Sequence, residues 1–297
     1  MIKNVNLWGQ SYSEFNDKIS IALDTVDLEE LNIYAYQEWE INPQWNNSPY
    51  YSKLEKFAKD KVLNIFFGCW HSKLWNNNTQ IPKHANLIFD PVFWIKQTYK
   101  NMQFHNNLLF DVSDYPNKIF LSLNTQPWKH RCQMIDELAK QNLLDYGSIS
   151  WHIIPKNYEW KFWNPTKLIL DEEYTTNLDS YKTLPQQFST TFMSLVAEST
   201  LKCHFLTEKT WMPVFLKKPF LVWGPRGIHQ KFSSLGFRLY DEVFDYSFDK
   251  IKNDEQRLEA LTKQLSNLKN CDLTNLRKKL INTLEFNYNH AVNLANK

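Results

Sequence analysis

The residues with the most chemistry in their types and spacing lie in Phe192–Gly224, FMSLVAESTLKCHFLTEKTWMPVFLKKPFLVWG. An apolar run leads to an acid, Glu198. Nine positions later Thr207, Glu208 and Lys209 open a helix, and a second apolar run ends at Gly224. Thr207 reads as an N-cap, and a helix start concentrates partial positive charge on backbone N–H groups that lack intrahelical partners. With Lys209 in the first turn, such an end can hold a diphosphate without a glycine-rich loop. Glu208 offers acceptors to ribose hydroxyls. Pro213 falls inside this helix and predicts a kink, or a late start at Thr210.

A second cluster lies in residues 119–131, IFLSLNTQPWKHR, which reads as a strand, a polar loop and a helix start carrying Lys129, His130 and Arg131. A guanidinium can clamp a diphosphate through two parallel hydrogen bonds. The chain has only five arginines, so one at a strand-to-helix turn says more than another lysine would. Asn124, in the same turn, is grouped with the donor-binding candidates Arg131, Glu198, Thr207, Glu208 and Lys209.

The Glu198–Thr207-Glu208-Lys209–Gly224 pattern resembles the donor-binding motif of the α1,3-fucosyltransferases. That motif runs F-E-N-S, a short gap, Y-x-T-E-K, a helix, and a strand ending in glycine. Phe205 takes the aromatic position, while Ser199, His204 and Lys217 stand where the family has Asn, Asp and Gly. The resemblance covers about 35 residues. It implies a GT-B glycosyltransferase, inverting and metal-independent, with a GDP- or UDP-linked sugar bound by the C-terminal domain and no other cofactor. It places Lys209 and Arg131 on the diphosphate, Glu208 on the ribose, and Glu198 near the sugar or shaping the loop. An inverting transferase also needs a general base at the acceptor hydroxyl. The candidates, each after an N-terminal strand, are Glu38, Glu40, His71 and Asp90, with Glu38 and His71 preferred. The acceptor is a glycan or, if the coding bias noted below reflects a phage genome, a modified base in double-stranded DNA flipped from the stack. The alternative is a non-catalytic nucleotide- or carbohydrate-binding protein on the same fold.

These residues need strands to present them, and the chain alternates strands with helices. Expected strands are Leu31–Tyr36, Val62–Phe67, Asn86–Phe89, Ile119–Leu123, Ser148–Ile154, Phe192–Val196 and Phe220–Trp223. Between them lie expected helices at Tyr51–Lys61, from Pro91 to about Lys100 with Asp90 as N-cap, at Pro127–Asn142, Thr207–Leu216 and Ile228–Leu235. Two charged amphipathic helices, Asp254–Leu268 and Leu273–Leu294, end the chain. Pro155–Gln187 reads as a long irregular insert. The alternation predicts an α/β fold of two facing Rossmann-like domains with mostly parallel sheets and C-terminal helices. The expected boundaries are 1–115 on the acceptor side, 116–270 on the nucleotide-sugar side, and 271–297 returning across the cleft.

Composition narrows the field further. The 297 residues include 6 Gly but 12 Trp, 14 Tyr and 20 Phe, and no GxGxxG or GxxxxGK[ST] occurs, so glycine-loop phosphate binding is excluded. Net charge is +2, which gives no overall basic footprint for nucleic acid. Trp39, Trp45, Trp70, Trp75 and Trp94 read as core or cover before they read as a stacking platform. The four cysteines form no CxxC pair, which fits a reducing cytoplasm. No signal peptide or run of about 20 apolar residues is visible, so no membrane partner is expected. Abundant Asn and an excess of Lys over Arg fit an AT-rich genome such as that of a phage, and hence a host cytoplasm.

Overall fold

The computed structural model describes residues 1–6, 12–34, 51–67, 84–165, 168, 170 and 184–297. The chain divides into two compact units, Met1–Phe93 and Trp94–Lys297.

In the first unit the elements run β1 (Ile2–Asn6), α1 (Tyr12–Leu23), β2 (Glu30–Tyr34), α2 (Tyr51–Asp60), β3 (Val62–Phe67) and β4 (Asn86–Phe89). All pairs are parallel and the spatial order β1-β2-β3-β4 follows the chain. β1 and α1 add to the expected elements; IKNVN mixes polar and apolar residues too evenly to announce a strand. Because strand side chains alternate between faces, Leu31, Ile33, Leu63 and Ile65 share one face. There they are fully buried with Ile19, Ala22, Leu54 and Ala58.

Asn4, Asn32, Asn64 and Asn86 stand in register on the other face. Their amides form a ladder: Asn32 Nδ2 donates to Asn4 Oδ1 (3.0 Å), Asn64 Nδ2 to Asn32 Oδ1 (2.8 Å), and Asn86 Nδ2 to Asn64 Oδ1 (3.0 Å). Parallel in-register strands place like residues side by side at the strand spacing, which an amide can bridge as both donor and acceptor. Tyr34 stacks on Phe66 along the same face, 4.7 Å between centroids.

α3 (Phe93–Phe104) begins two residues after Pro91. Asp90 Oδ1 accepts from Val92 N at 3.0 Å, so the aspartate caps a turn ahead of the helix. The second unit continues with β5 (Lys118–Asn124), α4 (Lys129–Lys140), β6 (Gly147–Trp151), the short α5 (Gln187–Thr190), β7 (Thr191–Ala197), α6 (Glu208–Phe215), β8 (Phe220–Trp223), α7 (Ile228–Ser234), α8 (Asp254–Ser266) and α9 (Leu273–Ala295). Its parallel sheet has the order β6-β5-β7-β8. Every residue of β7 and β8 is buried, as expected of parallel strands covered on both faces.

α6 runs through Pro213 to Phe215 without ending there. The helix packs against β7 and β8 with Thr210–Phe215 buried, and that burial outweighs one missing ladder bond. After it, Lys217 sits at φ 49°, a left-handed conformation in which glycine carries no strain. The next residue, Lys218, is fully buried, and its amine donates to Phe188 O and to Thr191 Oγ1, both at 2.6 Å. Burial holds its pKa well below the ordinary lysine value.

The described part of the 155–187 insert is irregular but anchored. Buried Asp136 of α4 accepts from the backbone N–H groups of Lys161 (3.0 Å), Phe162 (2.8 Å) and Trp163 (3.0 Å). Trp160 and Trp163 then meet Trp151 edge to face at 5.8 and 5.9 Å.

Among the described strands, only the second sheet has a point where the strand order reverses. In the second unit the chain starts at β5, adds β6 on one side, and then returns to add β7 and β8 on the other. The connection from β5 runs outward to β6 and the one from β7 runs the other way to β8, and at such a switch point α/β sheets bind ligands beyond the carboxyl ends of the two strands. Among the described strands of the first unit the order never reverses.

Candidate functional site

At the β5 side of this switch point, Asn124 is the last residue of the strand and is buried. Its Nδ2 donates to Ser122 Oγ at 3.0 Å, and its Oδ1 has no partner. The polar loop leads into α4, whose N-cap, Trp128, supplies no side-chain bond to the first turn. Arg131, in that turn, is 3% exposed. Its Nη1 donates to Gln126 O at 3.3 Å, and its Nε has no partner.

Three arginines of the second unit are buried, and they are not equivalent. Arg257 is held by Asp254 at 2.7 Å and Arg277 by Asp114 at 3.3 Å. Arg131 has no carboxylate within ion-pairing distance among the described residues. Burial pulls its pKa down, and the carboxylates of Glu198 and Glu208 act against that. A buried charge without a paired, hydrogen-bonded counter-ion is unfavourable, and an anion seated against it would remove that deficit.

At the β7 side, Glu198 follows the strand and is fully buried. Its carboxylate closes the start of α6: Oε1 accepts from Thr207 N (2.9 Å) and Thr210 Oγ1 (2.6 Å), and Oε2 from Thr207 Oγ1 (2.7 Å). Burial raises its pKa, opposed by the Lys209 charge and these hydrogen bonds. Thr207 is the N-cap, and its Oγ1 accepts from Lys209 N at 3.4 Å. The carboxylate thus takes the N–H of the cap residue and two hydroxyls beside the helix start, which also carries the side chains of Glu208 and Lys209. These two are paired, Nζ to Oε1, at 2.6 Å.

His130 joins the two sides. Its Nε2 lies 2.8 Å from Glu198 O, and since a carbonyl only accepts, Nε2 carries the proton. Burial lowers its pKa to about 4, against the Glu198 hydrogen bond and with the Arg131 charge. The sequence marks His130 only as the neighbour of Arg131; nothing in its spacing announces the bond to Glu198. Gly224, the residue after β8, is buried, and its carbonyl accepts from Arg257 Nη2 at 3.0 Å.

The structure thus brings Arg131, Asn124, Glu198, Thr207, Glu208 and Lys209 to the carboxyl ends of two adjacent strands. Arg226 is exposed, and its carbonyl is bonded to His204 Nε2 at 2.9 Å, so its loop is held as a turn. Glu38, Glu40 and His71 lie outside the described residues, as do Trp39, Trp45, Trp70 and Trp75. Trp94 is buried. Among the described residues no helix is long and apolar enough to cross a membrane.

The fold is α/β, two Rossmann-like units with parallel sheets in the manner of GT-B glycosyltransferases. The solved structure of the DNA-modifying enzyme β-glucosyltransferase, determined with and without its substrate uridine diphosphoglucose, resembles this chain with a TM-score of 0.50 at 11% identity. The match covers 99% of this chain and 78% of that one. No protein-family model and no curated protein matches the sequence.

Proposed function

We propose that this protein transfers a sugar from a nucleoside diphosphate sugar to a hydroxyl acceptor. The observation that carries the reading is Arg131, a buried guanidinium without a carboxylate at the switch point of the second unit. Lys209 stands at the start of the helix after the neighbouring strand. In the reaction a base takes the acceptor's proton, the acceptor oxygen attacks the anomeric carbon, and the bond from that carbon to the diphosphate oxygen breaks. The electron pair leaves with the diphosphate, and Arg131 and Lys209 neutralise the charge that develops there. Glu208 separates from Lys209 to accept from the ribose hydroxyls. The general base is sought first at Glu38 and His71.

The neighbour's substrate makes uridine diphosphoglucose the first donor to try, while the fucosyltransferase-like motif keeps GDP-linked sugars beside it. That the neighbour is a DNA-modifying enzyme supports DNA as acceptor, read here as a modified base, with a glycan as the other candidate. Charge agrees with a division of labour in the DNA case. Residues 1–93 hold 8 basic and 11 acidic side chains (net −3), residues 94–297 hold 26 and 21 (net +5), and all five arginines fall in the second group. Backbone phosphates would be met mainly by the second unit.

Calorimetry with UDP, GDP and their glucose and fucose conjugates tests the donor reading. Binding of one series is expected, weakened about 30-fold or more in Arg131→Leu, as for loss of a buried charge partner. Binding of none, or equal binding by the variant, would sink it. Slow release of free sugar without acceptor separates a transferase from a binding protein. Gel shift with duplex DNA at rising salt separates the acceptors, since phosphate-driven retention must fall steeply with salt.

A further inference from the structure

Three backbone carbonyls at the switch point are bonded in a closed triangle. Glu198 N donates to Trp223 O at 3.0 Å, Trp223 Nε1 to His130 O at 2.9 Å, and His130 Nε2 to Glu198 O at 2.8 Å. Its corners are the residue after β7, the last residue of β8 and the first turn of α4. The first link is backbone to backbone, part of the β7–β8 ladder, and follows from the strands. The other two are side-chain bonds, and they tie α4 to the ends of β7 and β8. Two corners also carry the proposed donor site by direct attachment. Arg131 is the chain neighbour of His130, and Glu198 holds Thr207 and Thr210 through its carboxylate.

We propose that His130 is the positioning residue of the donor site: its Nε2–H, on the Glu198 carbonyl, fixes Arg131 relative to the turn that carries Thr207, Glu208 and Lys209. The proposal rests on the donor-site reading above and adds a residue to which the fucosyltransferase-like motif gives no part. The physical reason for such a tie is the unpaired guanidinium. Among the described residues no carboxylate is bonded to Arg131, and its hydrogen bond to Gln126 O is a 3.3 Å contact within its own loop. A diphosphate clamp needs Arg131 and Lys209 held at a fixed separation before the ligand arrives, because ordering them at binding would subtract from affinity. The imidazole does this without adding charge, since burial keeps it neutral. The role is positional, because the imidazole N–H faces a backbone carbonyl.

The test compares His130→Gln, His130→Asn and His130→Ala. A glutamine amide can place an N–H where Nε2 stands, whereas asparagine is too short and alanine has no donor. Two measurements are made. Hydrogen exchange over residues 198–210 is read in the ligand-free protein, and the affinities for UDP and GDP are read by calorimetry. The alanine and asparagine variants are expected to exchange about 10-fold faster there and to bind the nucleotide about 10-fold more weakly, on the scale of one buried hydrogen bond. His130→Gln is expected to stay close to wild type in both. Unchanged exchange in the alanine variant overturns the proposal, as does a glutamine variant that behaves like alanine, because the ring would then act by bulk alone. Should the alanine variant not fold, the glutamine–asparagine pair decides. If the wild-type protein binds neither nucleotide, the donor reading fails, and exchange over 198–210 still decides whether His130 holds the turn.

Discussion

The two sheets contain four described parallel strands each, yet they differ in order and in what their faces carry. In the first unit the strands follow the chain, one face is apolar, and the other bears the asparagine ladder. In the second unit the order reverses at β5, β7 and β8 are buried throughout, and a set of charged and polar groups stands at the carboxyl ends of β5 and β7. Polar residues therefore do different things in the two places. The ladder asparagines bond to each other in register, so they favour one strand alignment. The groups at the end of β5 and β7 are satisfied on one side and open on the other: Glu198 is fully engaged, while Arg131 Nε and Asn124 Oδ1 have no partner. A site is recognised by that unevenness more than by polarity itself.

The contrast breaks first at Glu198. Glu198→Ala removes the acceptor of three donors in a fully buried turn, and a stability loss of about 4 kcal/mol is expected in denaturant titration. A loss near 1 kcal/mol would mean that the turn holds without it.

Acid is expected to act next, through His130. Its ordinary pKa of 6.5 falls to about 4 in the folded protein. A base with a depressed folded value contributes stability that is fully present above 6.5 and is lost as pH falls toward 4. The expected loss over that window is roughly 3 kcal/mol. Glu198 works in the other sense, since a raised carboxyl pKa favours the folded state at low pH. The comparison is therefore wild type against His130→Gln, and equal slopes between pH 6.5 and 4 would remove the imidazole from the account.

In the first unit the expected effect is smaller. Asn64→Ala takes the donor from Asn32 Oδ1 and the acceptor from Asn86 Nδ2, with an expected loss of about 1 kcal/mol and no change in nucleotide affinity. A change in affinity would break the division between a structural and a ligand-directed polar set. Smallest of all is the expected stability effect of Arg131→Leu: the melting temperature is unchanged or raised, because an unpaired buried charge is replaced by an apolar side chain. A clear drop in melting temperature would show that Arg131 is a structural residue.

Much of this was legible in the chain. The strands Val62–Phe67, Asn86–Phe89 and Phe220–Trp223 have the expected bounds, and Thr207 is the N-cap its position predicts. These are local effects of β-propensity, burial and helix-end chemistry. β1 and α1 were not legible, because Ile2–Asn6 pairs as an edge strand with exposed, mixed residues. The part of Glu198 at this helix start was not legible: its carboxylate accepts from Thr207 N, nine positions on. Only a chain that has folded into strand, loop and helix brings that carboxylate under the helix.

By itself the sequence determined the element types, the parallel α/β class and a short set of charged residues at strand-to-helix turns, since each depends on neighbours within a few positions. The tertiary structure decided which turns meet. Strand order depends on long-range pairing, and it alone puts Arg131 beside Glu198 across β5 and β7. It also decided that Arg257 and Arg277 are paired and Arg131 is not, a difference no residue type encodes, because pairing is a matter of distance after folding.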